Sequence, residues 1–306
     1  MLWGMPPNEV VILANPFSGK GENKAKVQAL SDALVARGLL ARQVWDLGER
    51  AELLGDPAVG KRYRCVVSAG GDGSMAGVIN DLSKGGETTR TAIAMLPLGN
   101  ENLFAKAFGH GKGAGQLAEA IGRLETKTID MGLANGTLFT LMVSAGFDSE
   151  VVRRVDQWRR ETNGNGLKRV GRISYAKPIV AALKSYTYPP ITLMADGRSI
   201  TGSHAFVFNI GKYGGGLPIG DHADCADGLL DWVVFKKPGL LRLGWYGLSA
   251  YLRRHLKSGA IAYGQATEIT IESEGQSVPV QADGDPCGQT PMEVKVLPGA
   301  MRVVLA

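Results

Sequence analysis

The feature that most limits how this chain can fold is a glycine turn closing an apolar run. Residues Arg64-Cys65-Val66-Val67-Ser68-Ala69 lead directly into Gly70-Gly71-Asp72-Gly73. A run of this kind reads as a strand buried on both faces, as in a parallel sheet covered by helices. Three glycines around one carboxylate let the backbone come close to a charged ligand. Outward amides in such a turn suit phosphate, and the aspartate suits a metal or a hydroxyl proton. Two comparable turns flank it, Asn15-Pro16-Phe17-Ser18-Gly19-Lys20-Gly21 and Leu96-Pro97-Leu98-Gly99-Asn100-Glu101-Asn102, each after its own apolar run. Three phosphate-compatible turns at successive strand ends predict a nucleotide site.

The surrounding sequence fits that plan. Residues 10–14 are continuously apolar, and Val27, Leu30 and Leu34 follow at helical spacing before a stop at Gly38. A strand-like stretch over 42–47, a helix over 74–82, a strand over 91–96 and a helix over 114–124 complete a βα alternation. Repeated βα units place their loops along one edge of a parallel sheet, and all three glycine turns fall on that edge. Asp46, closing the 42–47 stretch, joins them as a candidate nucleotide contact.

After Thr128 the texture changes. Asn135-Gly136 and Asp196-Gly197 are hairpin signals, and strands are expected over 137–144, 190–195, 204–210, 229–235, 267–273, 278–282, 292–297 and 301–305. Helices are expected over 168–186 and 239–257. The fold class predicted is α/β: an N-terminal parallel-sheet nucleotide domain over 1–128 and a C-terminal β-rich sandwich domain over 129–306. The 42 glycines, about twice the usual ~7% share, agree with many tight turns.

A net charge of +5 favours anionic partners. Three widely spaced cysteines without a CxxC pair support neither a disulfide framework nor a cysteine zinc site. Reduced thiols and a start without signal-peptide character predict a cytoplasmic chain, and no apolar run is long enough to span a bilayer.

Candidate ligand contacts follow from the turns. Asn15 and Ser18 can hydrogen-bond phosphate, Gly19 opens the backbone, and Lys20 offers charge, although the spacing is not that of a P-loop. Gly99 brings the third turn close, with Asn100 and Asn102 supplying amides. Farther on, Asp221-His222-Ala223-Asp224-Cys225-Ala226-Asp227-Gly228-Leu229 is either a hard-cation site or a polar turn before a strand. His110, His204 and His255 belong to no motif and read as structural or surface residues. From Arg153 to Lys177, eight basic residues face two acids, the pattern of a solvated helix face or of docking on an anionic bilayer. The spacing Leu241, Trp245, Leu248, Leu252, Leu256 fits a core-facing helix as well as an interfacial one, with the core-facing reading preferred.

In order and spacing, these motifs resemble the diacylglycerol-kinase catalytic family, which includes bacterial lipid kinases and the sphingosine and ceramide kinases. Asn15 to Gly19, with Pro16 and Phe17, is similar to that family's NPxSG turn, Gly70 to Gly73 to its GGDG, Leu96 to Gly99 to its LPLG, and Asp283-Gly284-Asp285 to its late DGE. The resemblance covers nearly the whole chain. It implies an ATP-dependent kinase acting on the hydroxyl of a diacylglycerol-like or sphingoid lipid, at a membrane surface and without nucleic acid. Asp285 would accept the hydroxyl proton, Asp283 would assist, and Asp72 would help to place Mg²⁺. Gly70, Gly71, Gly73, Ser74 and the flanking turns would hold ATP. Asp224, Asp227 and the Leu229 carbonyl would bind a structural Mg²⁺, the basic segment 168–175 would open a helix of the second domain, and a homodimer is compatible.

The chain departs from the family's GGDGT-x-N-E and LPLGT-x-N-D patterns at Ser74, Ala76, Gly77, Asn100 and Leu103, and Asp285 stands where the pattern has glutamate. Two rival readings follow: an NAD-kinase-like enzyme, and a catalytically weak nucleotide-binding membrane adaptor.

Overall fold

A computed structural model describes residues 7–16, 23–86, 88–163 and 176–306 of the 306-residue chain. The chain divides into two compact units, Met1–Ile129 with Gly299–Ala306, and Asp130–Pro298.

The first unit alternates strands and helices: β1 (Glu9–Ala14), α1 (Asn23–Val35), β2 (Leu40–Val44), α2 (Leu47–Gly55), the one-turn α3 (Val59–Arg62), β3 (Cys65–Gly70), α4 (Asp72–Lys84), β4 (Ala92–Pro97), α5 (Leu103–Phe108) and α6 (Ala114–Arg123). The strands run parallel in the order β2-β1-β3-β4. Alternate residues divide between two covered faces. Val10, Ile12, Cys65, Val67, Ala92 and Ala94 pack with Val27, Leu30 and Leu34 of α1 and with Leu117 and Ile121 of α6. Burying a leucine of this kind fully is worth roughly 1.5–3 kcal/mol, so α1 and α6 are held by their apolar faces rather than by helix propensity.

The second unit is a sandwich. Its chain runs β5 (Thr126–Ala134, which begins in the first unit), β6 (Thr137–Phe139), β7 (Met142–Ala145), α7 (Phe147–Asn163), α8 (Ala176–Ser185), β8 (Ile191–Ala195), β9 (Arg198–Gly202), β10 (His204–Phe208), β11 (Leu230–Phe235), α9 (Leu240–Tyr251), β12 (Ile261–Ala266), β13 (Glu268–Ser273), β14 (Pro279–Ala282), β15 (Asp285–Gln289) and β16 (Met292–Val304). One antiparallel sheet has the order β12-β11-β10-β7-β14-β15. The other joins the start of β16 to β13, β8 and β9. Val143, Val207, Trp232 and Val280 of the first sheet share a core with Leu193, Ile271 and Val294 of the second. Asn135-Gly136 joins β5 to β6 and Asp196-Gly197 joins β8 to β9. All four residues have positive φ, as a two-residue hairpin turn demands.

Several expectations need correction. A helix over 147–163 precedes the expected one, of which residues 168–175 lie outside the described residues. The expected strands do not include β5, β9, β12 and β15, the expected strand over 137–144 is divided into β6 and β7, and 292–297 with 301–305 form the single strand β16. The last eight residues belong to the first unit rather than the second, because Arg302 and Val303 pair in parallel with Ala92 and Ile93 of β4. His110, His204 and His255 are all buried. The stripe assigned to the core of α9 faces outward: Leu241 is 91% exposed and Leu248 59%, while Tyr246, Ser249 and Ala250 are buried. The periodicity was correct and the face was wrong, because α9 carries apolar side chains on both sides.

Candidate functional site

In the first unit the strands that lead into the three turns lie side by side. Ala14 pairs with Ala69, and Gly70 with Pro97, so the loops after β1, β3 and β4 emerge side by side. The second and third turns touch backbone to backbone. A Cβ on Gly99 would stand 2.6 Å from Gly71 Cα, and one on Gly71 would stand 3.3 Å from Gly99 Cα. Leu98 N–H donates to Gly70 O at 2.8 Å, which closes the joint. Glycine is therefore required at 99 by proximity rather than by dihedral freedom.

Asp72 locks the same joint. Its two carboxylate oxygens accept the amides of Leu103 and Phe104, each at 3.0 Å, so Asp72 binds the first turn of α5. Burial raises its carboxyl, against the pull of these amides and of Lys106. The first-turn amides of α5 thus serve Asp72. Asn102, in the left-handed region, staples its own turn: its Oδ1 accepts Gly99 N–H and its Nδ2 donates to Gly99 O, both at 2.9 Å. Asn100 is exposed at the tip.

Asn15 Nδ2 donates to Ser74 Oγ at 2.8 Å, tying the first turn to α4. A small crevice beside them is lined by Asn15, Asp46, Arg50, Ser68, Ser74 and Val78. Asp46 caps α2 by accepting Glu49 N–H at 2.8 Å. Arg50 is fixed by Asp81 of α4 through bonds of 2.8 and 3.1 Å, and its guanidinium lies 3.4 Å from where a Cβ at Gly77 would stand, an ordinary contact distance. Phe17, Ser18, Gly19, Lys20 and Gly21, the rest of the first turn after Pro16, lie outside the described residues.

In the second unit, Asp283-Gly284 is a third two-residue hairpin, with φ of 49° and 90°, joining β14 to β15. Asp283 turns inward and is buried. One oxygen accepts Thr140 N–H at 2.8 Å and the Thr140 hydroxyl at 3.0 Å, while the other accepts Leu141 and Met142 N–H at 2.8 and 2.9 Å. Burial pushes its carboxyl up to about 6, and the four donors hold it ionised at neutral pH. Asp283 is thus a clamp that fixes the hairpin tip.

Asp285 follows on the exposed side of that tip. Desolvation by its surroundings raises its carboxyl, Arg159 of α7 draws it back, and Asp156 adds a smaller push upward. Behind the tip, Gly284 N–H donates to Gln281 Oε1 at 2.8 Å, and Gln281 Nε2 donates to Ser144 Oγ at 2.8 Å. The Ser144 hydroxyl donates in turn to Asp148. This polar chain was missed by sequence reasoning, although Gln281, a polar residue in an apolar strand, was its signal.

The cluster over 221–229 forms two local turns. Asp224 accepts Ala226 N–H at 3.1 Å and Asp227 accepts Leu229 N–H at 3.0 Å, the aspartate turn pattern. Gln265 bridges Asp227 and Asp231 at 3.2 and 3.3 Å. Among the described residues, no group of three or more His, Cys, Asp or Glu side chains could hold a metal ion. In the 153–177 segment, Arg153 and Arg154 pair with Glu150, and Arg160 with Asp156.

Comparison with known proteins follows the two units. Residues 9–134 match the diacylglycerol kinase catalytic domain, and residues 141–305 match the YegS C-terminal NAD kinase beta sandwich-like domain. The chain is 26% identical to a probable lipid kinase YegS-like protein of Pseudomonas aeruginosa over 97% of its length and 93% of that protein. It is 27% identical to a diacylglycerol kinase of Mycobacterium tuberculosis, covering 97% of this chain and 94% of that one. In fold it is similar to the crystal structure of a putative diacylglycerol kinase from Bacillus anthracis, with a TM-score of 0.76, 22% identity and coverage of 98% and 95%.

Proposed function

Since the chain belongs to the diacylglycerol kinase catalytic-domain family and carries a YegS-type second unit, we propose that it transfers the γ-phosphoryl group of ATP to the hydroxyl of a diacylglycerol-like or sphingoid lipid. One observation carries this reading. The turns after β3 and β4 are pressed together through Gly71 and Gly99 and locked by Asp72, giving a rigid backbone edge that a polyphosphate can approach. The amino end of α4 adds the favourable end of a helix dipole.

The Asp72 carboxylate, held in place by the α5 amides, fits one ligand position on Mg²⁺ beside the phosphates. Bound there, Mg²⁺ would neutralise charge on the transferring group. Asn15, Ser74 and Asp46 line the adjacent crevice and orient the nucleotide. In the second unit, Asp285 takes the proton of the acceptor hydroxyl, and desolvation, which raises its carboxyl, makes it a stronger base than an ordinary aspartate. Asp283 and Gln281 hold the backbone on either side of it. Phosphoryl transfer demands positioning and charge neutralisation more than covalent help, which agrees with so rigid a frame.

The test is a labelled-ATP assay of the full chain with diacylglycerol, sphingosine, total lipid extract and NAD as separate acceptors. A labelled lipid, with turnover lost at least a hundredfold in Asp285→Asn and ATP binding unchanged, is the expected result. Label on NAD alone would select the NAD-kinase-like reading. ATP binding with no labelled product would select the adaptor.

A further inference from the structure

Helix α9 is anchored by one face and apolar on the other. Tyr246 is 1% exposed and stacks on Phe235 of β11 with ring centroids 4.3 Å apart. Its hydroxyl oxygen accepts Lys237 N–H at 3.1 Å, and Ser249 and Ala250 are buried beside it. These contacts fix the helix without its outer stripe. On that outer side Leu241, Trp245, Leu248 and Leu252 recur at helical spacing, with Leu240 and Tyr251 at the margin, and every one of the six is exposed. Leu241 and Tyr251, 91% and 73% exposed, stand almost wholly in solvent. So contiguous an apolar face on a helix marks a docking surface.

Charge decides what docks. From Lys236 to Thr267 the sequence holds six cations, Lys236, Lys237, Arg242, Arg253, Arg254 and Lys257, and no acid. Only Arg253 has a carboxylate within ion-pair distance, Asp221 at 3.1 Å, among the described residues. A second copy would set this cationic face against itself across a two-fold axis, which like-charge repulsion opposes. An anionic bilayer answers both halves of the pattern. It takes leucine and tryptophan at the acyl boundary and pairs lysine and arginine with headgroups. The segment 153–160 is a weaker candidate, since Arg153, Arg154 and Arg160 are already paired with Glu150 and Asp156.

We propose that α9 lies in the surface of an anionic membrane, with Leu241, Trp245, Leu248 and Leu252 in the acyl boundary and Lys236, Lys237, Arg242, Arg254 and Lys257 at the headgroups. The purpose of this docking rests on the lipid-kinase reading. The docking itself is measured without ATP.

The experiment compares the full chain with Leu241→Ser/Leu248→Ser and with Arg242→Glu/Arg254→Glu by co-sedimentation on phosphatidylcholine vesicles, with and without phosphatidylglycerol. Thermal melting checks that the variants fold. The expected result is binding only to the anionic vesicles, falling about tenfold or more in both variants at unchanged melting temperature, and weakening with salt. Trp245 emission, obtained by difference from Trp245→Phe, should shift to the blue on those vesicles. Equal binding by folded variants, or no wild-type binding, overturns the proposal. So does a wild-type dimer in light scattering that becomes monomeric in Leu241→Ser/Leu248→Ser, which assigns the face to a second copy. Turnover separates the two readings. Variants that phosphorylate detergent-dispersed lipid within about twofold of wild type, yet fail on vesicles, support docking as a distinct step. Vesicle binding with no lipid phosphorylated anywhere overturns the kinase reading and leaves the docking intact.

Discussion

Replacing Asp283 by asparagine tests whether this carboxylate is a clamp or a reagent. Each of its oxygens accepts two hydrogen bonds, and the milder orientation of an amide puts its NH₂ on the Thr140 side, where the hydroxyl can turn to accept and the Thr140 N–H alone loses its acceptor. The lost bond to a charged acceptor, at about 1.5–3 kcal/mol, adds to about 1–3 kcal/mol for the donor stranded in a buried site. Partial relaxation of the 140–142 segment brings the expected cost of Asp283→Asn to about 3–5 kcal/mol. That is a large share of the ~5–15 kcal/mol typical of a whole domain. Urea unfolding followed by tryptophan emission measures the loss, and amide hydrogen exchange localises it. The amide of Thr140 should exchange far faster in the variant, while those of Val66 and Val67 in the first unit stay protected. Activity per folded molecule should fall less than in Asp285→Asn. A variant within 1 kcal/mol of wild type, with Thr140 still protected, would refute the clamp.

Three further outcomes follow from the packing. Gly99→Ala should cost about 1–3 kcal/mol, because its Cβ would sit 2.6 Å from Gly71 Cα, whereas Gly71→Ala, with 3.3 Å, should cost clearly less; denaturant midpoints of the two variants decide it. Asp81→Asn should destabilise by about 2 kcal/mol by stranding the half-buried Arg50, and adding Gly77→Glu should recover part of this, since position 77 faces the same guanidinium. The recovery is read as the difference in melting between single and double variants. His204 is buried and its imidazole is pushed down to about 4, so the folded state holds it neutral and the unfolded state gains a proton below pH 6.5. Stability from this group is complete above pH 6.5 and is lost as pH falls toward 4, by up to about 3 kcal/mol, and His204→Gln should flatten that stretch of the stability curve.

The first unit was legible because its signals are local. Valine-rich runs ending in glycine and helices with leucine at period 3.6 both persist in the structure, as do, in the second unit, the equally local Asn-Gly and Asp-Gly hairpins. The third such hairpin, Asp283-Gly284, carries the same signal, yet a catalytic motif drew attention away from its turn chemistry. What stayed hidden depends on partners distant in sequence. Asp72 reads as a ligand for metal, and only the fold shows its two oxygens on the Leu103 and Phe104 amides, thirty-one and thirty-two positions away. The outward face of α9 was hidden for another reason: hydrophobic period gives the spacing of a stripe, not the side on which the protein lies. Gly77 and Asp81 show a third limit, since only the fold places both beside Arg50.

The return of residues 299–306 to the first unit bears on how the chain acquires its shape. Arg302 and Val303 extend the parallel sheet beyond β4, Val304 O lies 2.7 Å from His110 Nε2, and Leu305 N–H donates to Glu125 O at 2.9 Å. Met301, Val303 and Val304 are fully buried there. A ribosome making this protein from its amino end therefore releases the first unit unfinished, with β4 an open edge, until the 169 residues 130–298 and the closing strand have been added. Contacts of such sequence separation form late and slowly, and an unpaired strand edge is sticky while it waits. A fragment cut at residue 128 would keep every glycine turn and still lack the strand that closes its sheet.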